Sequence, residues 1–145
     1  MTKIIVIIFI GLSLPASAQN RNEWKSGFGQ GTMEYFVENG SGNRIYIACP
    51  SSDPATVTAT IMGRDANTKK GESMVFIIDS VEYRNEYENQ NCRVCAANFV
   101  HFWEKLRNAK TLSVKFSNSV ASEFSVNKLK STLPPFKNSQ CLTAF

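Results

Sequence analysis

The sequence predicts a β-rich α+β fold: about seven mostly antiparallel strands, sandwich-like or in one curved sheet, with one main helix packed on them. Short runs of alternating apolar and polar residues recur along the chain, which is typical of strands with one face in water. Residues 91–108 instead have the spacing of an amphipathic helix, and four cysteines offer two disulfides as staples. A pure sandwich without the helix is the alternative.

The composition is that of one globular domain. The hydrophobic class makes up 43% of 145 residues and includes ten Phe, four Tyr and two Trp, which suffices for a single core. The formal net charge of +4 is modest, and the basic residues are scattered along the chain. Because nucleic-acid binders concentrate Lys and Arg on one face, we expect no nucleic-acid partner.

The first 18 residues have the features of a cleaved export signal. Lys3 precedes an apolar run over residues 4–14, and Ala16-Ser17-Ala18 supplies a small-residue cleavage site. A helix of that run would rise only about 16 Å, against about 30 Å for a bilayer core, so a permanent anchor is not expected. The sequence therefore predicts an exported protein, periplasmic or extracellular and from a bacterium, that begins at Gln19.

Residues 19–31 are polar and rich in glycine, apart from Trp24 and Phe28. We expect them to form an N-terminal arm that these two aromatic side chains attach to the body. Regular structure is predicted to begin after Gly31, in a single domain of residues 32–145.

The first predicted strands form a hairpin. Residues 33–38 and 44–49 alternate in polarity around a turn at 39–43, where Asn and Gly tolerate positive φ. Residues 55–61 form the clearest strand, with Ala, Val and Ile on one face and Thr on the other. An exposed loop is expected over residues 63–71.

A second group of strands flanks the helix. Residues 74–78 are continuously apolar and too short for a helix, which predicts a buried strand at the centre of a sheet. Residues 81–87 follow, with Val81, Tyr83 and Tyr87 expected on one face. After the helix, residues 112–116 and 120–126 predict a second hairpin, and Asn127 is expected to cap a short helical turn.

The four cysteines, Cys49, Cys92, Cys95 and Cys141, are expected to form two disulfides in an oxidising compartment. Pairing of Cys49 with Cys141 would tether the tail, while Cys92 and Cys95 pair locally. The crossed pairings, which would attach the helix to both the strand and the tail, remain open.

Cys92-Arg93-Val94-Cys95 stands at the predicted start of the helix, where the helix N-terminus would stabilise a thiolate. This arrangement is typical of redox-active cysteine pairs. The preceding residues are polar rather than an apolar strand, so a structural disulfide is favoured over a thioredoxin-like site. A second cysteine pair at ligand spacing is missing, which argues against zinc. No other cofactor is expected.

Few residues suggest catalysis. His101 falls on the wetted helix face, opposite the apolar stripe that contains Phe99 and Trp103, and no sequence feature singles out a nucleophilic serine. A hydrolase with an unrecognised site is retained only as an alternative.

The function that we expect is binding rather than catalysis: a small exported protein that acts on a protein or another envelope macromolecule as an inhibitor, an immunity protein or an accessory factor. The candidate binding loops are polar and flanked by glycine, and their residues are Asn39, Asn43, Arg64, Lys69 and Lys70. A thiol–disulfide oxidoreductase that uses Cys92 and Cys95 is the second alternative.

Overall fold

A computed structural model describes residues 22–67, 73–84, 87–88, 92–116 and 119–145. The predicted signal segment and the candidate residues Lys69 and Lys70 lie outside the described residues. The described chain contains two antiparallel sheets and one main helix, which confirms the β-rich α+β class.

The first sheet is a five-stranded meander in which each strand pairs with the next along the chain. Its strands are β1 (Lys25–Gly29), β2 (Thr32–Glu38), β3 (Arg44–Pro50), β4 (Thr56–Ile61) and β5 (Arg64–Asn67). The predicted hairpin is confirmed as β2 and β3, with Glu38 opposite Arg44. Apolar side chains that alternate along β2 to β4, such as Tyr35, Ile47 and Val57, are buried. One face of this sheet therefore forms part of the core.

Two strands occur where the sequence did not predict them. β1 lies inside the segment expected to be an arm, so the expectation that regular structure begins after Gly31 is wrong for residues 25–29. Trp24 is buried, as expected of an aromatic that attaches this segment, but Phe28 is 70% exposed. β5 occupies the start of the predicted loop 63–71, because Met62 and Gly63 both take positive φ and return the chain in a two-residue turn.

The second sheet has four strands in the order β7-β6-β8-β9. They are β6 (Val75–Ile78), β7 (Val81–Tyr83), β8 (Leu112–Lys115) and β9 (Ser122–Phe124). The predicted inner position of the apolar strand is confirmed for β6. Val81 and Tyr83 share a face of β7, as predicted, since they pair with Ile78 and Phe76. Val81 is exposed on this edge strand, whereas Tyr83 and Tyr87 are buried.

The predicted helix is confirmed as α1 (Arg93–Arg107). Its buried side chains are Ala96, Phe99, Phe102, Trp103 and Leu106. Trp103 lies edge-on to Tyr35 of the first sheet, with ring centroids 5.4 Å apart, and Phe102 lies edge-on to Phe76 of the second, at 5.1 Å. The helix therefore contributes aromatic rings to a core shared by both sheets.

The C-terminal segment packs back on this core. α2 (Leu129–Thr132) is capped by Lys128 in a left-handed conformation, so the expected cap at Asn127 is wrong. A 3₁₀ helix, Phe136–Asn138, places the Phe136 ring against Phe99 and Trp103. None of the described helices is both long and apolar enough to cross a membrane.

Candidate functional site

The outer face of the five-stranded sheet carries two aromatic rings and an arginine in mutual contact. Phe36 on β2 lies directly opposite Tyr46 on β3, and Arg44 precedes Tyr46 by two residues on the same face. The guanidinium carbon of Arg44 is 5.0 Å from the centroid of the Phe36 ring and 4.8 Å from that of Tyr46. These distances are those of cation–π contacts. We call Glu34, Phe36, Arg44 and Tyr46 the aromatic–arginine cluster.

Two carboxylates contact the polar groups of Tyr46 and Arg44. The Tyr46 hydroxyl donates to Oε1 of Glu34 at 2.5 Å, and Nε of Arg44 lies 3.8 Å from Oε1 of Glu38. Burial, followed by the hydrogen bond to Glu34 and its charge, raises the pKa of Tyr46 to about 12. Among the described residues, Nε of Arg44 has no hydrogen-bond acceptor. The guanidinium of Arg44 therefore contacts both rings and the carboxylate of Glu38.

The cluster remains accessible to solvent. The side chain of Arg44 is 40% exposed, and Phe36 and Tyr46 are half-buried. The neighbouring strand presents short side chains, because Thr58 pairs with Tyr46 and Thr60 pairs with Arg44. Arginine and tyrosine on a preorganised, partly dehydrated surface are typical of the residues that dominate protein–protein binding energy. This face is the candidate binding surface.

Sequence reasoning missed this cluster. The alternation of β2 and β3 already predicts that Phe36, Arg44 and Tyr46 point away from the core, and an aromatic-rich outer face was the available signal. Their meeting depends on the strand register, which places Phe36 opposite Tyr46 rather than one residue away.

The candidate loop residues Asn39 and Asn43 have structural roles. Nδ2 of Asn43 donates to Oγ of Ser122 on β9 at 2.7 Å, and its Oδ1 accepts from the backbone N–H of Met62 at 2.8 Å. Nδ2 of Asn39 also donates to Oγ of Ser122, while its Oδ1 accepts from the N–H of Asn43. These amides join the turn to the other sheet, so they are occupied within the protein rather than offered to a ligand.

Arg64, the remaining described candidate, is the first residue of the edge strand β5. Its guanidinium carbon lies 5.8 Å from the centroid of the Phe116 ring, and the residue is exposed.

The structure pairs Cys49 with Cys141 and Cys92 with Cys95, which confirms the non-crossed pairing. The first bridge joins residues 92 positions apart and tethers the tail to β3, whereas the second joins residues three positions apart. In the chain-entropy model, loops of these sizes correspond to about 4.6 and about 1.6 kcal/mol of stabilisation at 25 °C. The bridge between Cys92 and Cys95 is therefore the weaker structural constraint.

Cys92 is the N-cap residue of α1. Its Sγ accepts a hydrogen bond of 2.9 Å from the backbone N–H of Cys95, and both cysteines are half-buried. The first turn of the helix contains no acidic residue, and Arg93 is the residue after the cap. Both the oriented N–H group and the positive helix end favour negative charge on this sulfur after reduction.

A groove of about 510 Å³ runs beside the start of α1. It is lined by Arg93, Ala96, Ala97, Val100, Thr143 and Phe145. The four helical residues among these are spaced at i, i+3, i+4 and i+7, so they form one stripe that begins directly after Cys92. The residues that line the groove do not include Cys92 or Cys95.

His101 and the acidic side chains do not converge on a catalytic cleft in the described residues. His101 is exposed, as predicted. Glu82 pairs with Lys115 at 2.8 Å and with Arg84, and the hydrogen bond from Lys115 lowers the pKa of Glu82. In the described ranges, no three His, Cys, Asp or Glu residues are grouped as metal ligands would be.

Comparisons with known proteins place the chain in a family. A search of curated proteins and a search of solved structures gave no match. The family model described as YfjT matches residues 22–133, which include both sheets, the helix α1 and the aromatic–arginine cluster. Because this match extends over more than half of the sequence, the chain belongs to the YfjT family.

Proposed function

We propose that this protein is an exported binding protein that engages another protein of the bacterial envelope through the aromatic–arginine cluster. Its role is that of an inhibitor, an immunity protein or an envelope accessory factor. The single observation that carries the proposal is the contact of Arg44 with the rings of Phe36 and Tyr46 on a solvent-facing sheet surface. Such a rigid surface loses little side-chain entropy when a partner docks.

The charges of this face favour a protein as the partner. Arg44 lies between two carboxylates, because Glu34 accepts from Tyr46 and Glu38 pairs with Arg44 itself. A surface of mixed sign repels neither a basic nor an acidic protein patch, whereas a polyanion or an anionic membrane requires a concentration of positive charge. Thr58 and Thr60 of β4 extend this face with short side chains beside Tyr46 and Arg44.

Export is the second part of the proposal. It is supported by the predicted signal over residues 1–18 and by the two disulfides, which persist in oxidising compartments. Expression of the full chain in a Gram-negative host, followed by fractionation and mass spectrometry, tests it. We expect a periplasmic product that begins at Gln19 and contains both disulfides. An uncleaved, reduced product that stays in the cytoplasm would contradict export.

Site-specific photocrosslinking tests the binding surface. A photoreactive amino acid at Thr60, which lies opposite Arg44, is compared with one at Ser113 on the outer face of the second sheet. We expect a discrete protein adduct in envelope extract from position 60 but not from position 113. An excess of unmodified protein should compete with the adduct, while the variant Arg44→Ala/Tyr46→Ala should compete about tenfold less well or worse.

A Ser113→Ala variant is the matched competitor and should act as the wild type does. Equal adducts from both positions, or equal competition by all competitors, would refute the assignment of binding to this face. Circular dichroism of the variants distinguishes a lost contact from a lost fold.

A further inference from the structure

We infer that the open edge of β1 is a docking site for an extended segment of the partner protein, which adds a strand to the five-stranded sheet beside the aromatic–arginine cluster. This edge site rests on the proposed function, because it specifies the form in which the partner reaches the same binding face. The backbone groups along β1, the glycines on its outer face and the carboxylate of Glu34 support it.

The register of the first hairpin determines which backbone groups of β1 point to the open edge. Residues 30–31 both take positive φ in a two-residue turn, so Gly29 and Thr32 form the hydrogen-bonded pair that closes it. Bonded and non-bonded pairs alternate along an antiparallel ladder, so the N–H and C=O groups of Ser26 and Phe28 point away from β2. Because β1 is the edge strand of its sheet, these groups face no other strand of the described chain.

Trp24 confirms this direction, because it is separated from Ser26 by two residues and its backbone groups also point away from β2. Its N–H donates to the carbonyl oxygen of Asn127 at 3.1 Å, and its carbonyl oxygen accepts from Oγ1 of Thr132 at 3.2 Å. The C-terminal segment therefore occupies the edge at Trp24. Beyond that point Ser26 and Phe28 are exposed. An extended polypeptide offers N–H and C=O groups at the spacing that this part of the edge presents.

Glycine leaves the outer face of β1 uncovered beside the cluster. Gly27 lies opposite Glu34 and Lys25 lies opposite Phe36, so β1 adjoins two members of the aromatic–arginine cluster. A Cβ atom at Gly27 would lie 3.9 Å from Oε2 of Glu34. Neighbouring strands are about 4.8 Å apart, so a strand added to β1 would lie about 10 Å from β2. A long side chain on the added strand therefore crosses Gly27 and reaches Glu34.

Glu34 and Phe28 define the side chains of the docking segment. Oε1 of Glu34 accepts from Tyr46, and among the described residues this carboxylate has no ion-pair partner. A basic residue opposite Gly27 supplies one. Phe28 points to the other face of the sheet and is 70% exposed, so an apolar residue opposite it covers the ring. The segment is therefore an extended chain with a basic residue between two apolar residues.

This charge pattern favours a partner protein over a second copy of the chain. Two copies of β1 would satisfy their outward backbone groups by pairing Ser26 of each with Phe28 of the other. That register places Gly27 opposite Gly27, so neither carboxylate of Glu34 gains a cation from the added strand.

An NMR titration of the isotope-labelled protein, from Gln19 and with both disulfides formed, tests the docking site. The probe is the acetylated and amidated peptide Thr-Val-Arg-Val-Thr, whose antiparallel pairing places arginine opposite Gly27 and the valines opposite Ser26 and Phe28. We expect the amide signals of Ser26 and Phe28 to shift and their hydrogens to exchange more slowly with water. The Gly27 N–H, which already bonds to β2, should keep its exchange rate. The peptide Thr-Val-Glu-Val-Thr should bind about fivefold more weakly.

Variants of β1 distinguish strand addition from general adhesion of the peptide. Ser26→Pro removes an N–H group that the ladder with β2 does not use, so the hairpin tolerates it. This variant should bind the peptide about tenfold more weakly, whereas Ser26→Ala, the matched control, should bind as the wild type does. Gly27→Leu covers the gap in front of Glu34 and should weaken binding about fivefold. It is the second route to the same result if Ser26→Pro does not fold.

The edge site is overturned if the amides of Ser26 and Phe28 do not respond to the peptide, or if Ser26→Pro binds as tightly as Ser26→Ala. Slower exchange of these amides at high protein concentration without peptide, together with a doubled mass, would also overturn it, because a second copy would then be the occupant. An adduct from position 60 without any response to the peptide would refute the edge site alone. A response to the peptide without an adduct would instead refute the proposed role of the cluster and support the edge site.

Discussion

The two disulfides should differ in their contribution to the free energy of unfolding. The perturbation is a pair of double variants, Cys49→Ala/Cys141→Ala and Cys92→Ala/Cys95→Ala. Cys49 and Cys141 are buried, so alanine at this pair removes the cross-link and also the packing of two sulfur atoms, which adds a smaller loss. The sequence separations of 92 and 3 give losses of about 4.6 and about 1.6 kcal/mol from chain entropy.

Equilibrium unfolding in guanidinium chloride, followed by the fluorescence of the buried Trp24 and Trp103, measures both losses. We expect the variant without the long-range bridge to be less stable by about 3 kcal/mol than the variant without the local bridge. Equal losses, or a larger loss on removal of the bridge between Cys92 and Cys95, would refute the reasoning.

Three further perturbations test the core, the joint between the sheets and the outer face. Trp103→Ala should lower the free energy of unfolding by about 3–5 kcal/mol in thermal or denaturant unfolding, because the ring is fully buried. Val94→Ala, on the exposed face of the helix, should have little effect. Similar losses in the two variants would contradict the observed packing. Asn43→Ala should cost about 1–3 kcal/mol because it leaves a partly buried backbone N–H without its acceptor, and an unchanged midpoint would contradict that role. Because the folded pKa of Tyr46 is about 12 against an ordinary value of 10.0, its contribution to stability is present below pH 10 and is lost between about pH 10 and 12. The free energy of unfolding of Tyr46→Phe should therefore fall less than that of the wild type over that pH interval. Identical pH profiles of unfolding for the two proteins would count against the cause assigned to the raised pKa.

Local periodicity predicted the elements that bury one face. The helix α1 was recognisable because Phe99, Trp103 and Leu106 recur at helical spacing, and β4 was recognisable because apolar residues alternate with threonines. In both elements the pattern reflects burial of a single face. Such a pattern is a property of a short segment, so it can be recognised without knowing what covers that face.

The strands that were missed lack this pattern. β1 contains no buried residue, and β5 is a short strand at the opposite edge of the same sheet. Their turns also lack the usual signal, because Gln30 and Met62 take positive φ where Asn or Asp is more common. An edge strand that packs few side chains against the core can have polar residues on both faces. The sequence alone therefore did not distinguish these strands from loops.

Some features of the candidate sites follow from the sequence, and others depend on the tertiary structure. The sequence by itself determined that Cys92 and Cys95 stand at a helix start, and that Arg44 and Tyr46 share the non-core face of a strand. Each conclusion needs only the spacing within one element.

Only the tertiary structure decided which cysteines pair, that Phe36 lies opposite Tyr46, and that the tail forms a groove with α1. The hydrogen bonds from Asn39 and Asn43 to Ser122 of β9 are also decided by the tertiary structure. These contacts join residues distant in sequence, so they depend on strand register and on the order in which elements pack. A single residue of slip in β2 would move Phe36 to the other face of the sheet.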